Sequence, residues 1–332
     1  MTRTRVHVLA LGGTIAMTGP GGHHITPRLG AEELVRAVPG LTDVAEVTSE
    51  QLRQVPSTAL TLTDLLAAAR RVRSALDAGA DGVVITQGTD TLEESAFALD
   101  LLLDPGAPVV VTGAMRSPDA AGPDGPANLL AAVRTAASPA ARDLGVLVVL
   151  DEQVHAASTV RKVRSFGPGA FVSPDTGPVG WVVEGRFHPR TVPAGVRTVP
   201  EPDEDRLAAT AVGVLPVHLG DDPRAVVAAG GLGYAGLVVD SLGAGHVPPS
   251  FVEPLAELAR TMPVVLASRT GGGPVHTETY AYPGSETELL AKGLLPAGWL
   301  DTRKARVLLT LLLAAGVPRE EIGAWFTPAR DA

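Results

Sequence analysis

Residues 82–101, beginning Gly82-Val-Val-Ile-Thr-Gln-Gly-Thr-Asp-Thr, limit the folds open to this chain more than any other stretch. Val83 to Ile85 are apolar at every position, which predicts a short strand buried on both faces, as in a parallel sheet. From Leu92 onward the apolar residues Leu92, Ala96, Leu99 and Leu103 recur at helical spacing. Gln87-Gly-Thr-Asp-Thr is therefore a polar loop at the carboxyl end of a strand, the edge where open α/β sheets bind ligands. Asp90 or Thr91 can N-cap the helix, and Glu93 and Glu94 suit its first turn. Alone, such a loop is explained as a well-capped strand–helix junction. A second polar Gly-Thr turn, Gly12-Gly13-Thr14, closes the first strand and makes both turns candidates for a site.

The flanking chain keeps the same rhythm. Strands are expected at Val6–Leu11, near Val44–Val47, at Pro108–Thr112 and at Val146–Leu150, and helices at Ala31–Val38, Thr63–Ala78 and Asn128–Ala137. Alternation at this spacing means βαβ units in a mainly parallel sheet. Residues 16–27, rich in Gly and Pro, predict a mobile loop. Past residue 155 the rhythm breaks, and it resumes with strands at 212–215, 236–239 and 264–267 and a helix at 302–315. The fold class expected is α/β in two domains: a larger N-terminal one with a mainly parallel sheet over 1–190, a linker over 191–211, and a smaller parallel α/β domain over 212–332. A length of 332 residues fits two cores.

Lys+Arg 27 against Asp+Glu 36 leaves a net charge of −9, which disfavours nonspecific nucleic-acid binding. Cysteine is absent, so disulfides, thiolate nucleophiles and Cys-ligated metals are excluded. Arg3 and Arg5 precede an apolar run that could pass for a signal peptide. That run has the length of one strand and leads straight into Gly12-Gly13-Thr14, so a mature start and a cytoplasmic protein are expected.

Threonine hydroxyls are poor nucleophiles near neutral pH and need a base within hydrogen-bond reach. Thr14 and Thr89 each end a strand turn, and Asp90 follows Thr89 directly. A lysine would complete a relay able to draw a proton from a hydroxyl. The chain holds only Lys162, Lys292 and Lys304. Lys162 lies in Thr159-Val-Arg-Lys-Val-Arg, and spacing alone leaves it open between a solvated basic stretch and a catalytic group.

Leu11-Gly-Gly-Thr-Ile and Gln87-Gly-Thr-Asp-Thr-Leu-Glu-Glu resemble the two signature segments of the bacterial-type L-asparaginases. The similarity continues through Gly113-Ala-Met-Arg, Asp124-Gly-Pro-Ala-Asn-Leu, Val148-Val-Leu-Asp-Glu-Gln-Val-His-Ala-Ala and Lys304-Ala-Arg-Val-Leu-Leu, in order along nearly the whole chain. The resemblance implies hydrolysis of asparagine to aspartate and ammonia without a cofactor, by double displacement. It implies Thr14 as nucleophile and Thr89, Asp90 and Lys162 as a second triad, Thr89 guiding the water and its N–H helping to hold the oxyanion. It further implies Ser57 on the substrate α-carboxylate, Asp90 on the α-ammonium, the Gly88 turn and the Ala114 carbonyl in the pocket, and homo-oligomers, dimers or tetramers, with sites near subunit interfaces. Once the family is considered, Lys162 reads as catalytic.

The departures concern substrate contacts. The lid tyrosine of the family falls on His24, and the glutamine after the substrate serine is Thr58. Residues that the family brings from a neighbouring subunit fall on His246 and near Tyr280, with Glu278 beside it. A thinner ammonium clamp predicts a higher Michaelis constant. Related readings are a dual glutaminase–asparaginase, an amidotransferase subunit acting on glutamyl-tRNA, disfavoured by the acidic charge, and a silent amino-acid sensor of the same fold. His23-His24 lacks further ligands at metal spacing. Gly231-Leu-Gly-Tyr-Ala-Gly matches a dinucleotide fingerprint but runs into a strand instead of opening a helix, so it is read as a tight turn.

Overall fold

A computed structural model describes residues 3–19, 26–104, 106–195 and 197–326. The chain divides into two compact units, Met1–Thr198 and Val199–Ala332.

The first unit is organised on one sheet. Its strands are β1 Arg5–Gly12, β2 Glu46–Val55, β3 Gly82–Thr86, β4 Val109–Thr112, β5 Val146–Leu150, β6 Gln153–Ala156, β7 Gly180–Val183 and β8 Arg186–Pro189. They lie in the order β8-β7-β6-β5-β4-β3-β1-β2. The first five pair in parallel and the last three antiparallel, so the unit is mainly parallel with an antiparallel extension. The order of the parallel part, 2-1-3-4-5, reverses direction between β1 and β3. At such a switch point the loops leaving the two strands diverge and open a crevice beyond their carboxyl ends. Thr14 follows β1 and Thr89 follows β3.

Every residue of β3, β4 and β5 is buried, as their continuous apolar runs require. The helices α1 Leu62–Asp77, α2 Leu92–Leu102 and α3 Gly125–Ala136 cross between them. On one side Leu129, Ala132, Val133 and Ala136 of α3 pack with Val84, Val110 and Leu147. The Thr61 hydroxyl caps α1 by accepting the amide of Asp64, whose carboxylate accepts the Thr61 amide in return.

Near residue 44 the expected strand is displaced. Leu41–Val44 is a single helical turn, and β2 begins at Glu46 and runs to Val55. Its sequence, Glu-Val-Thr-Ser-Glu-Gln-Leu-Arg-Gln-Val, has no apolar alternation because β2 is an edge strand with no buried residue, which leaves propensity little to read. In the Gly/Pro-rich stretch, Met17–Thr18 pairs antiparallel with Thr26–Pro27.

The second unit carries four parallel strands, β9 Val212–Pro216, β10 Gly236–Ser241, β11 Val264–Ser268 and β12 Leu295–Pro296, in sequence order. The helices α4 Val252–Thr261 and α5 Thr302–Ala315 flank them. Asp301 caps α5 by accepting the amides of Arg303 and Lys304, and Gly316 ends it at φ 77°. Within 191–211, Glu204–Ala209 is a short helix with Leu207 buried.

Candidate active site

Gly12 and Gly13 take φ of 104° and 88°, backbone that favours glycine. The close packing requires it too. A Cβ on Gly12 would meet the Val55 carbonyl at 2.5 Å, and one on Gly13 would meet the Gly88 nitrogen at 2.0 Å. The turn after β1 therefore lies directly against the turn after β3. Thr14 opens the single 3-10 turn Thr14–Ala16 at this contact, and Ile15 and Ala16 bury behind it. A Cβ on Gly125 would meet Ile15 at 2.9 Å and Ala114 at 3.4 Å, so the turn after β4 joins the same edge.

Ser57 reaches the edge from β2. Pro56 ends that strand, and Ser57–Ala59 forms a 3-10 turn in which Ser57 is buried and Thr58 exposed. The Ser57 hydroxyl faces Gly88, where an added Cβ would lie 2.8 Å from Oγ. Thr91 occupies the N-cap position of α2, but its hydroxyl donates to the Ser57 carbonyl at 3.1 Å and caps nothing. Asp90 does not cap the helix either.

Instead Asp90 takes part in an ion pair. Lys162 Nζ donates to Asp90 Oδ1 at 2.7 Å and to Thr89 Oγ1 at 2.9 Å. Thr89 is buried, whereas the Asp90 side chain is 65% exposed. Lys162 stands on Arg161–Lys162, a two-residue strand paired with Phe171–Val172. Its amide donates to Glu93 Oε2 at 2.6 Å.

The Gly113–Ala114 turn is fixed by α3. Asn128 Nδ2 donates to the Gly113 carbonyl at 3.0 Å and to Asp124 at 3.1 Å, while its Oδ1 accepts the Asp151 amide at 3.0 Å. Asp124 accepts the amides of Met115 and Arg116 at 3.0 and 2.8 Å. Every polar atom of the Asn128 amide is thus used in shaping the loops after β4 and β5. Ala114 is buried beside them.

Thr14, Ser57, Gly88, Thr89, Asp90, Ala114 and Lys162 therefore gather at one edge of the first sheet, with Thr58 on its exposed side. His24 lies outside the described residues. His246 and Tyr280 belong to the second unit, where their rings meet edge to face with centroids 4.8 Å apart. There His246 Nε2 lies 3.1 Å from Glu286 Oε2 and Nδ1 lies 2.8 Å from the Tyr282 hydroxyl. Glu286 is fully buried. Burial raises its pKa, but hydrogen bonds from the amides of Tyr280 and Thr279, with the nearby His246, bring it below the ordinary value.

The sequence reading missed Glu93 and Glu286. Both stand in the first turn of a helix, where a glutamate is already accounted for by capping and dipole, so neither signals a further partner. It also missed His155, which is buried on β6 with Nδ1 3.0 Å from Ser173 Oγ. Burial holds this imidazole down to about 4, so it is neutral at ordinary pH. Among the described residues no three His, Asp or Glu side chains cluster as metal ligands would.

Comparison with known proteins agrees over both units. A family model described as "Asparaginase, N-terminal" matches residues 5–193, and one described as "Glutaminase/Asparaginase C-terminal domain" matches residues 211–326. The "Probable L-asparaginase" of Deinococcus radiodurans is 37% identical over 326 residues, 97% of each chain. "L-asparaginase 2" of Escherichia coli is 35% identical over 314 residues, covering 93% of this chain and 88% of that one. The crystal structure of a "Probable Cytoplasmic L-asparaginase" from Campylobacter jejuni superposes with a TM-score of 0.86 at 32% identity, covering 98% of this chain and 99% of that one.

Proposed function

The chain belongs to the asparaginase family, and from that premise we propose that it hydrolyses the side-chain amide of L-asparagine to L-aspartate and ammonia. The observation that carries this reading is the Lys162 ammonium, bonded at once to the Thr89 hydroxyl and the Asp90 carboxylate at the switch point of the sheet. A binding module has no need of a buried hydroxyl held on an amine.

In the proposed reaction the Thr14 oxygen attacks the amide carbon, and the carbonyl electrons move onto oxygen. Collapse of the tetrahedral species expels ammonia, which takes the threonine proton, and leaves an ester on Thr14. Water aligned by Thr89 then attacks that ester, and its proton passes through the Thr89 hydroxyl to the departing Thr14 oxygen while the Lys162 ammonium holds Thr89 in place. Backbone N–H groups of the Gly88–Thr89 turn would hold the oxyanion. The Ser57 hydroxyl would bind the α-carboxylate, the Asp90 carboxylate the α-ammonium, and the Ala114 carbonyl the amide nitrogen.

We assign the assembly as a homo-oligomer, with His246 and Tyr280 serving the site of a neighbouring copy. The support is the family resemblance together with the partly exposed ring cluster of the second unit. We place the protein in the cytoplasm, a reading supported by its similarity to the Campylobacter jejuni protein described as a probable cytoplasmic L-asparaginase. No helix among the described residues is long and apolar enough to cross a membrane.

Ammonia release from L-asparagine and L-glutamine, measured side by side from micromolar to tens of millimolar, tests the reading. Turnover of asparagine in the millimolar range supports it, whereas release from neither amide overturns it in favour of a sensor or another amide substrate. Comparable turnover of glutamine would make the protein a dual glutaminase–asparaginase. Thr14→Ala should abolish hydrolysis while aspartate binding survives. Persisting activity in that variant would remove Thr14 from its role.

A further inference from the structure

We propose that Glu93 is a positioning residue of the active site, holding Lys162 through its backbone so that the ammonium reaches Thr89 and Asp90 together. The proposal rests on the role given to Lys162 above. Lys162 is gripped at both ends by one short run of chain. Thr89 and Asp90 take its ammonium at 2.9 and 2.7 Å, and Glu93, in the first turn of the helix that follows them, takes its amide at 2.6 Å.

The strand that carries Lys162 cannot hold this position unaided. Its ladder is two residues long, Lys162 opposite Phe171 and Arg161 opposite Val172. A pairing that short has little stability in water. The segment beyond it is exposed, with Phe166 at 74% and Val163 at 48%. The far side of the ladder is anchored where the Ser173 hydroxyl meets His155 at 3.0 Å and Thr159 at 3.2 Å. The near side, facing the reacting groups, is tied by Glu93.

Glu93 is 3% exposed, so its carboxylate is withdrawn from water and its bond to the Lys162 amide is little weakened by solvent competition. Losing that bond frees the strand to move off α2. The flexible lysine stem can then still follow the exposed Asp90 carboxylate while the buried Thr89 hydroxyl loses its partner. Displacement of a catalytic group by about 1 Å costs on the order of 100-fold in rate. Aspartate affinity depends on Ser57 and Asp90 and should survive.

The test compares wild type, Glu93→Ala, Glu93→Gln and Lys162→Met in kcat, KM, aspartate affinity and thermal midpoint. Glu93→Ala is expected to lower kcat roughly 100-fold with KM and aspartate affinity within about 3-fold. Glu93→Gln keeps an acceptor oxygen in place and should recover kcat to within about 5-fold of wild type. Wild-type kcat in Glu93→Ala beside an inactive Lys162→Met overturns the inference and leaves the role of Lys162 standing. Full activity in Lys162→Met overturns that role itself. Glu93→Gln as slow as Glu93→Ala also overturns the inference, because the acceptor alone would then not suffice. Should Glu93→Ala fail to fold, Glu93→Asp retains the charge and withdraws the oxygen. Reduced kcat at an unchanged melting point then supports positioning, and wild-type kcat overturns it.

Discussion

Gly13 and Gly88 touch backbone to backbone, with room for no side chain: a Cβ on Gly13 would lie 2.0 Å from the Gly88 nitrogen and 2.2 Å from its Cα. This contact fixes the distance between the turn that carries Thr14 and the turn that carries Thr89. Gly13→Ala must separate the turns and strain φ of 88° as well. We expect kcat/KM to fall by at least about 100-fold, with a lower melting temperature. Steady-state kinetics beside a thermal melt checks both, and near-wild-type kinetics would refute the coupling.

Gly88 is packed against Ser57 on its other side. An added Cβ would lie 2.8 Å from Ser57 Oγ, 2.9 Å from Ser57 Cβ and 3.1 Å from the Ser57 amide nitrogen, so rotating the hydroxyl does not relieve the contact and the Ser57 turn itself must shift. Gly88→Ala should therefore push the Ser57 turn away and raise KM, because the displaced Ser57 hydroxyl is the proposed carboxylate ligand, with a lower melting temperature beside it. An unchanged KM would contradict that role.

Asn128 joins the loops after β4 and β5 through one amide, and it is buried. Replacing it by Ala leaves the Gly113 carbonyl and the Asp151 amide without their partner. The cost should be about 2–4 kcal/mol of folding stability, together with weaker substrate binding at Ala114. Chemical denaturation of Asn128→Ala measures the first effect and KM the second.

Asp100 is buried on α2, where it accepts the Val146 amide at 2.7 Å. Burial pushes its carboxyl up to about 7, opposed in part by that hydrogen bond. A raised folded-state value means the native protein holds a proton that the unfolded chain releases. The associated stability is complete below about pH 4 and is lost as pH rises toward 7. Asp100→Asn keeps an acceptor oxygen and removes the charge. Its stability at pH 8 should exceed wild type by a few kcal/mol, with the difference vanishing near pH 4. Denaturation at both pH values decides it.

His155 has the opposite sign. Its folded-state value of about 4 lies below the ordinary 6.5, so the native protein resists a proton that the unfolded chain accepts. Stability should fall as pH drops from 6.5 toward 4. His155→Gln should flatten this limb, and because the residue anchors Ser173 it should also lower kcat modestly at pH 7. An unchanged acid limb would show that another group controls it.

Much of this site is legible in the chain. Continuous apolar runs at 83–85, 109–111 and 146–150 can only be strands buried on both faces, and the helical spacing between them dictates crossovers and hence parallel pairing. Paired glycines before Thr14 and a polar Gly-Thr-Asp-Thr after a buried strand mark the turns, since backbone of that kind follows from local sterics. The edge strand β2 is hidden for the converse reason: with no buried face, its residues carry no alternation.

What the sequence by itself determined is therefore whatever depends on neighbours along the chain: the buried strands, the capped helices and the two glycine turns. Only the tertiary structure decided the pairings across it. Lys162 lies 73 residues beyond Thr89, and nothing in its basic surroundings says that its amide meets Glu93 and its ammonium meets Thr89 and Asp90. Those contacts arise because the parallel sheet delivers Thr89 and Asp90 to its edge while a separate two-residue antiparallel ladder brings Lys162 against them. Which side chain meets which is then fixed by strand order and packing, not by local preference.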